Sequence, residues 1–152
     1  MKYQSINEIT NFDFNQASIG EITYQQNTLK LFLDNVTIRS TNSNNRDIRD
    51  MRANDFVLTF EQAKIMRFVA EGYKVYDADN NLTDSVPDAV ISEQEYPQKL
   101  KELSGSLLYS VEESSNNTCK INIDGEYQTY VIEVEYTQNC GEWDRFLSKE
   151  PV

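Results

Sequence analysis

Thr118-Cys119-Lys120-Ile121-Asn122-Ile123-Asp124-Gly125-Glu126-Tyr127-Gln128-Thr129-Tyr130-Val131-Ile132-Glu133-Val134-Glu135 is the stretch that decides the fold class. Cys119, Ile121 and Ile123 alternate with polar residues, the period-two pattern of a strand buried on one face. Asp124-Gly125-Glu126 supplies the turn. Either two-residue loop drawn there puts those three residues on the same face as Tyr130, Ile132 and Val134, so turn chemistry and hydrophobic pattern agree. With Leu107 to Glu112 ahead, the segment predicts a three-stranded meander over Leu107–Glu112, Thr118–Ile123 and Tyr127–Thr137.

The same signals recur upstream. Ile19 to Tyr24, the polar turn Gln25-Gln26-Asn27, and Leu29-Lys30-Leu31-Phe32-Leu33 predict a hairpin. Val36 and Ile38 then resume on the opposite parity after Asp34-Asn35, which reads as a bulge in one long strand. Residues 40–54 carry almost no apolar content and form a long loop, functional or mobile. Strand signals return at Phe56–Phe60, at Ala63–Val69 and at Tyr73–Tyr76, with Gly72 as a bulge. Residues 63–70 also fit a helical turn. Asp77-Ala78-Asp79-Asn80-Asn81 is a turn, and Val86–Ile91 a short strand.

Ser5 with Glu8, and Ser92 with Glu95, have capping-box spacing. Gln94–Leu103 is the best helix, with Pro97 in its first turn and Gly105 as its stop. Gly141–Leu147 reads as a closing helical turn, because Trp143, Phe146 and Leu147 share a face at spacings of three and four. The fold class that follows is mainly β (α+β): an antiparallel curled sheet, sandwich or partial barrel, with one or two short helices. Length sets one domain over residues 1–152.

Charge is distributed unevenly. Residues 1–76 hold nine Lys/Arg and nine Asp/Glu; residues 77–152 hold five and sixteen, so the whole net charge of −11 lies in the second half. Such a field repels nucleic acid and attracts basic surfaces. There is no histidine, so histidine-dependent nucleophile activation and histidine phosphorelay are excluded within one chain. Two cysteines without histidine do not make a usual zinc site. The five glycines are never closer than 16 residues apart, which excludes a Gly-rich phosphate loop. No cofactor and no metal are expected. Asp77, Asp79 and Asn81 match the first donors of a calcium loop, but Leu82 stands where the turn needs Gly and Asp88 where the bidentate Glu belongs. A plain polar turn is the better reading.

In the predicted meander, Cys140 falls roughly 25 Å or more beyond the residue opposite Cys119, too far for a disulfide. Two free thiols fit a reducing compartment, and neither a signal-peptide apolar region nor a membrane-length run occurs, so a cytoplasmic location is expected.

Two sets of residues are candidate contacts. Glu112, Glu113, Asp124, Glu126, Glu133 and Glu135 belong to the meander and its turns, where alternate side chains project outward. Arg46, Arg49 and Arg52 recur every third residue in the long loop and would line one face of a helical turn, an anion or partner contact, with Asp50 placed to pair with Arg46. The favoured function is a small acidic protein-binding module docking on a basic protein, as inhibitor-type immunity proteins do, with neither nucleic acid nor membrane as partner. The alternatives are a small-ligand binder or histidine-independent enzyme using Asp, Glu, Tyr or Arg in a sheet cavity, and a self-assembling structural domain. The sequence sets no oligomeric state.

Overall fold

The structure, a computed structural model, describes residues 1–148. Strands make up 55% of it and helices 9%. In chain order the strands are β1 (Tyr3–Ile6), β2 (Phe12–Asp13), β3 (Ser18–Gln25), β4 (Thr28–Asp34), β5 (Val36–Ile38), β6 (Met51–Ala53), β7 (Phe56–Glu61) and β8 (Lys64–Ala70). They continue as β9 (Tyr73–Tyr76), β10 (Leu82–Val86) and β11 (Ala89–Val90). After the helix α1 (Tyr96–Glu102) come β12 (Leu107–Ser115), β13 (Thr118–Asp124), β14 (Thr129–Glu135), β15 (Gln138–Trp143) and β16 (Leu147–Ser148).

Ten strands form one antiparallel sheet in the order β1-β15-β7-β4-β3-β12-β13-β14-β8-β11, which does not close into a barrel. Its middle joint is slight. β3 and β12 share a single registered pair, Ser18 with Leu107, supported by backbone bonds from Ile19 to Ser106 and from Leu108 to Ala17. Ile22, Leu31, Leu58, Phe68, Ile121 and Ile132, from both sides of that joint, belong to one buried core cluster. A second sheet, β16-β6-β5-β2, and a separate hairpin, β9-β10, complete the fold.

The meander follows the hydrophobic register: Cys119 faces Val134, Ile121 faces Ile132, and Ile123 faces Tyr130. The turn is wider than two residues, because the last registered pair is Asp124 with Thr129. Faces survive this difference, since lengthening the loop by two residues preserves parity. The β3–β4 hairpin turns at Gln26 and Asn27, both at positive φ (51° and 60°), as a two-residue hairpin turn demands.

Three local expectations are corrected. The parity switch after Asp34 is a corner, not a bulge: Asn35 sits at φ 62°, its N–H donates to Asn54 Oδ1 (2.9 Å), and β5 leaves β4's sheet to pair with β2 and β6. Residues 141–147 are not helical. Trp143 ends β15 opposite Tyr3, and Leu147 pairs with Arg52 in the second sheet. Trp143 stacks on Phe56 and meets Phe12 and Phe146 edge-on, so a shared aromatic cluster satisfies the same spacing that a helix would have. Ser5 and Glu8 form no capping box: Ser5 lies in β1, and the Glu8 carboxylate accepts from Ser43 N and Oγ instead.

The second helix signal gives a helix where its boundaries predict, but Ser92 and Glu95 make no capping box: Ser92 Oγ donates to Glu95 Oε1 (2.9 Å) and caps no backbone N–H. Pro97 occupies the first turn of α1, and Gly105 at φ 90° follows its end. Lys64–Ala70 is strand, paired with β14. Gly72 is required by proximity, because a Cβ there would lie 2.1 Å from the Val86 carbonyl oxygen.

Candidate functional site

The six acidic candidates do not form one patch. Glu112, Lys120, Glu133 and Arg67 lie side by side on β12, β13, β14 and β8, a row of alternating sign, with Lys120 Nζ 3.8 Å from Glu133 Oε1. Glu135 is registered with Lys64. Glu113 lies near the start of β13, opposite Cys119, whereas Asp124 and Glu126 lie at its far end, about 20 Å away at strand rise. Two cations of the first half, Arg67 and Lys64, thus stand in register with Glu133 and Glu135 of the second half.

The arginine loop is ordered but not helical. Asn45, buried, donates through Nδ2 to the carbonyls of Ile38, Arg39 and Arg49 at 3.1–3.2 Å and accepts from Asp47 N. Asp50 accepts from Ser40 N rather than pairing with Arg46. Arg49 lies 3.6 Å from Asp47, whose carboxyl is held low by the Arg49 backbone N–H and side chain. Arg52 is in β6 and donates to the Ser148 carbonyl. The three guanidinium groups therefore share no helix face, and the tip they frame is Ile48, 94% exposed.

Buried thiols offer no nucleophile. Burial pushes both Cys119 and Cys140 up, and Cys119 Sγ is 3.2 Å from Tyr136 Oη, a phenol itself raised by burial and by that thiol. Both cysteines are free.

Two features escaped the sequence reading. The first is the β9–β10 hairpin. Every residue from Tyr73 to Ser85 is exposed, including Tyr73, Val75, Tyr76 and Leu82. From Tyr73 through Asp88 the chain carries one lysine and four aspartates. Asp77 folds its own turn, accepting from Asp79 N and Asn81 N, which lowers its carboxyl. Tyr76 faces Leu82 and Tyr73 faces Val86 across the ladder. The strand at Tyr73–Tyr76 and the turn at residues 77–81 were legible here; the partner strand at Leu82–Val86, in place of one starting at Val86, and the exposure of both faces were not.

The second is a groove of about 600 Å3 between β3 and α1, lined by Glu21, Ile22, Tyr24, Glu93, Tyr96 and Leu100 among others. Among the described residues no strand pairs with this edge of β3 beyond Ser18. Tyr24 Oη donates to the Ala63 carbonyl (3.1 Å), which fixes its ring. Burial, then the nearby Glu93 carboxylate and Tyr24, raise the Tyr96 phenol, so it stays protonated and is no base. No local motif marks this place, because it is built from segments some 70 residues apart.

What the geometry defines is a class: a mainly antiparallel β protein with an incompletely paired sheet edge and a projecting hairpin. No family model matches the chain, and neither a curated protein nor a solved structure matches it. No helix among the described residues is long and apolar enough to cross a membrane.

Proposed function

We propose that this protein is an acidic protein-binding module, cytoplasmic and of the inhibitor type, that docks on a basic partner through the β9–β10 hairpin. The observation that carries the reading is the continuous exposure of residues 73–85, with aromatic and aliphatic side chains set among aspartates. A two-stranded hairpin is marginal alone in water, and exposed Tyr and Leu on it gain most from being covered. The carboxylates around them favour a cationic surface, steering its approach and rejecting nucleic acid. Two free, buried cysteines support a reducing location. The meander carboxylates Glu112, Glu113, Asp124, Glu126, Glu133 and Glu135 take a secondary part, because neighbouring Lys120, Arg67 and Lys64 already offset several of them.

The test compares wild type with Tyr76→Ser/Leu82→Ser and Asp79→Lys/Asp84→Lys as baits in native lysate at low and high salt. Proteins held by wild type should be lost by both variants and released by salt, with near-UV circular dichroism unchanged. Retention of the same proteins by both variants refutes the hairpin as the contact.

A further inference from the structure

The free edge of β3 and the wall formed by α1 make a slot of defined shape. In a two-residue hairpin the residues flanking the turn, here Gln25 and Thr28, exchange backbone bonds, and so do alternate residues beyond them. Thr23 and Glu21 therefore spend their N–H and C=O groups on β4, while Ile22 and Tyr24 direct theirs away from it. At the other end the edge is already taken, since Ile19 bonds to Ser106 and Gly105. The open stretch is Gly20 to Gln25, about 20 Å long at strand rise. An unpaired strand edge is a template for another strand, and proteins that leave one open usually blunt it with proline, lysine or a bulge. No proline or lysine occupies Gly20–Gln25, the irregularity falls at Gly20, outside the Ile22–Tyr24 stretch, and α1, which packs against β3, leaves a groove of about 600 Å3 beside this edge.

We infer that this slot binds an extended, basic segment of a partner protein by strand addition, the segment pairing with Ile22 and Tyr24 and lying between β3 and α1. The inference rests on the protein-binding reading for its partner class but concerns a different surface from the β9–β10 hairpin. Strand addition takes affinity from backbone bonds and specificity from alternate side-chain sites. Both kinds of site are present. Ile22 and Leu100 are already buried, while Tyr24 and Tyr96 are part-buried and Pro97 is exposed, so inward side chains of the segment meet the open parts of the two tyrosine rings and the proline. Glu21, Thr23 and Gln25 alternate with them on the outer face, and the carboxylates lining the groove, Glu21 and Glu93, outnumber its one ammonium, Lys101. Outward side chains of the segment are therefore selected as cations.

The probe is the blocked hexapeptide Arg-Val-Arg-Val-Arg-Val, titrated into the 15N-labelled full chain and read by amide hydrogen exchange. The Ile22 and Tyr24 amides should gain protection while the Thr23 amide, bonded to β4, does not change. N-methylating the peptide at the alternate positions whose N–H groups face β3 should weaken binding by roughly tenfold or more, and N-methylating the other register should not. Replacing Arg by Glu in the peptide, or Glu21→Lys with Glu93→Lys in the protein, should weaken it as well. Both protein positions are exposed, so the fold should be unaffected. No binding at millimolar peptide, equal effects of the two N-methylated registers, or protection away from Ile22 and Tyr24 would each overturn the inference. Tyr76→Ser/Leu82→Ser should leave peptide binding intact, so the slot and the hairpin succeed or fail separately.

Discussion

Asn45 holds the 40–50 loop, and replacing it with Asp at nearly constant shape tests whether that loop is built or merely long. Its amide donates to three carbonyl oxygens at 3.1–3.2 Å while the side chain is 7% exposed. Asn45→Ala removes those bonds and leaves buried carbonyls short of a partner, at about 1–3 kcal/mol for each group so stranded. Some of the three keep solvent contacts, so roughly 2–4 kcal/mol in total is expected, a large part of the ordinary 5–15 kcal/mol. Asn45→Asp does more, because it points a carboxylate at three carbonyl oxygens. The folded state then favours the protonated acid, raising its pKa above the unfolded value near 3.9, and every unit of that rise costs about 1.36 kcal/mol once the pH exceeds the folded value. The sign follows: the folded state binds more protons than the unfolded, so the variant loses stability as pH rises from about 4 towards neutrality. Thermal melts at pH 4.5 and pH 7.5 should show Asn45→Asp falling away from wild type at the higher pH. At roughly 2–4 °C per kcal/mol, each unit of that rise should open a gap of about 3–5 °C. A variant that melts with wild type at both values would show that Asn45 does not anchor the loop.

The Glu8 carboxyl works in the opposite sense: burial raises it, but the bonds from Ser43 and Asn11 outweigh that and hold it below its ordinary 4.5. Its contribution is therefore present above about pH 4.5 and lost as pH falls through the depressed value, so Ser43→Ala should lower the melting temperature at pH 7 and converge with wild type near pH 3. Because burial pushes both cysteine thiols up, a thiol reagent at pH 8 should react with the native protein only at its opening rate, and rapid labelling would contradict their burial. Gly72→Ala drives a Cβ into the Val86 carbonyl and should cost about 1–3 kcal/mol, with amide protection lost in β9 and β10 before β13. Lys120→Glu leaves Glu112 and Glu133 facing a third carboxylate; it should cost under about 1 kcal/mol, and the deficit should shrink with added salt.

The meander and the first hairpin were legible because a strand's burial pattern is a local property. Cys119, Ile121 and Ile123 needed only alternation to choose a face, and a turn miscounted by two residues left their partners on that face. Pro97 and Gly105 bounded the helix through backbone chemistry that acts within one turn. Where two structures share a spacing, the sequence could not choose between them. Trp143 and Phe146 suit a helix as well as an aromatic cluster, and β15 settles beside β1 and β7 only because Tyr3, Phe12 and Phe56 wait there. Asn35 read as a bulge because parity records that the face changes, not which sheet receives the chain. By itself, then, the sequence determined the strand-rich class, the buried faces and the exclusion of histidine chemistry. Tertiary structure decided the slot between β3 and α1, the uncovered hairpin and the cations set beside the meander's carboxylates. These depend on which distant segments meet, and burial periodicity says which side of a strand is covered without saying what covers it.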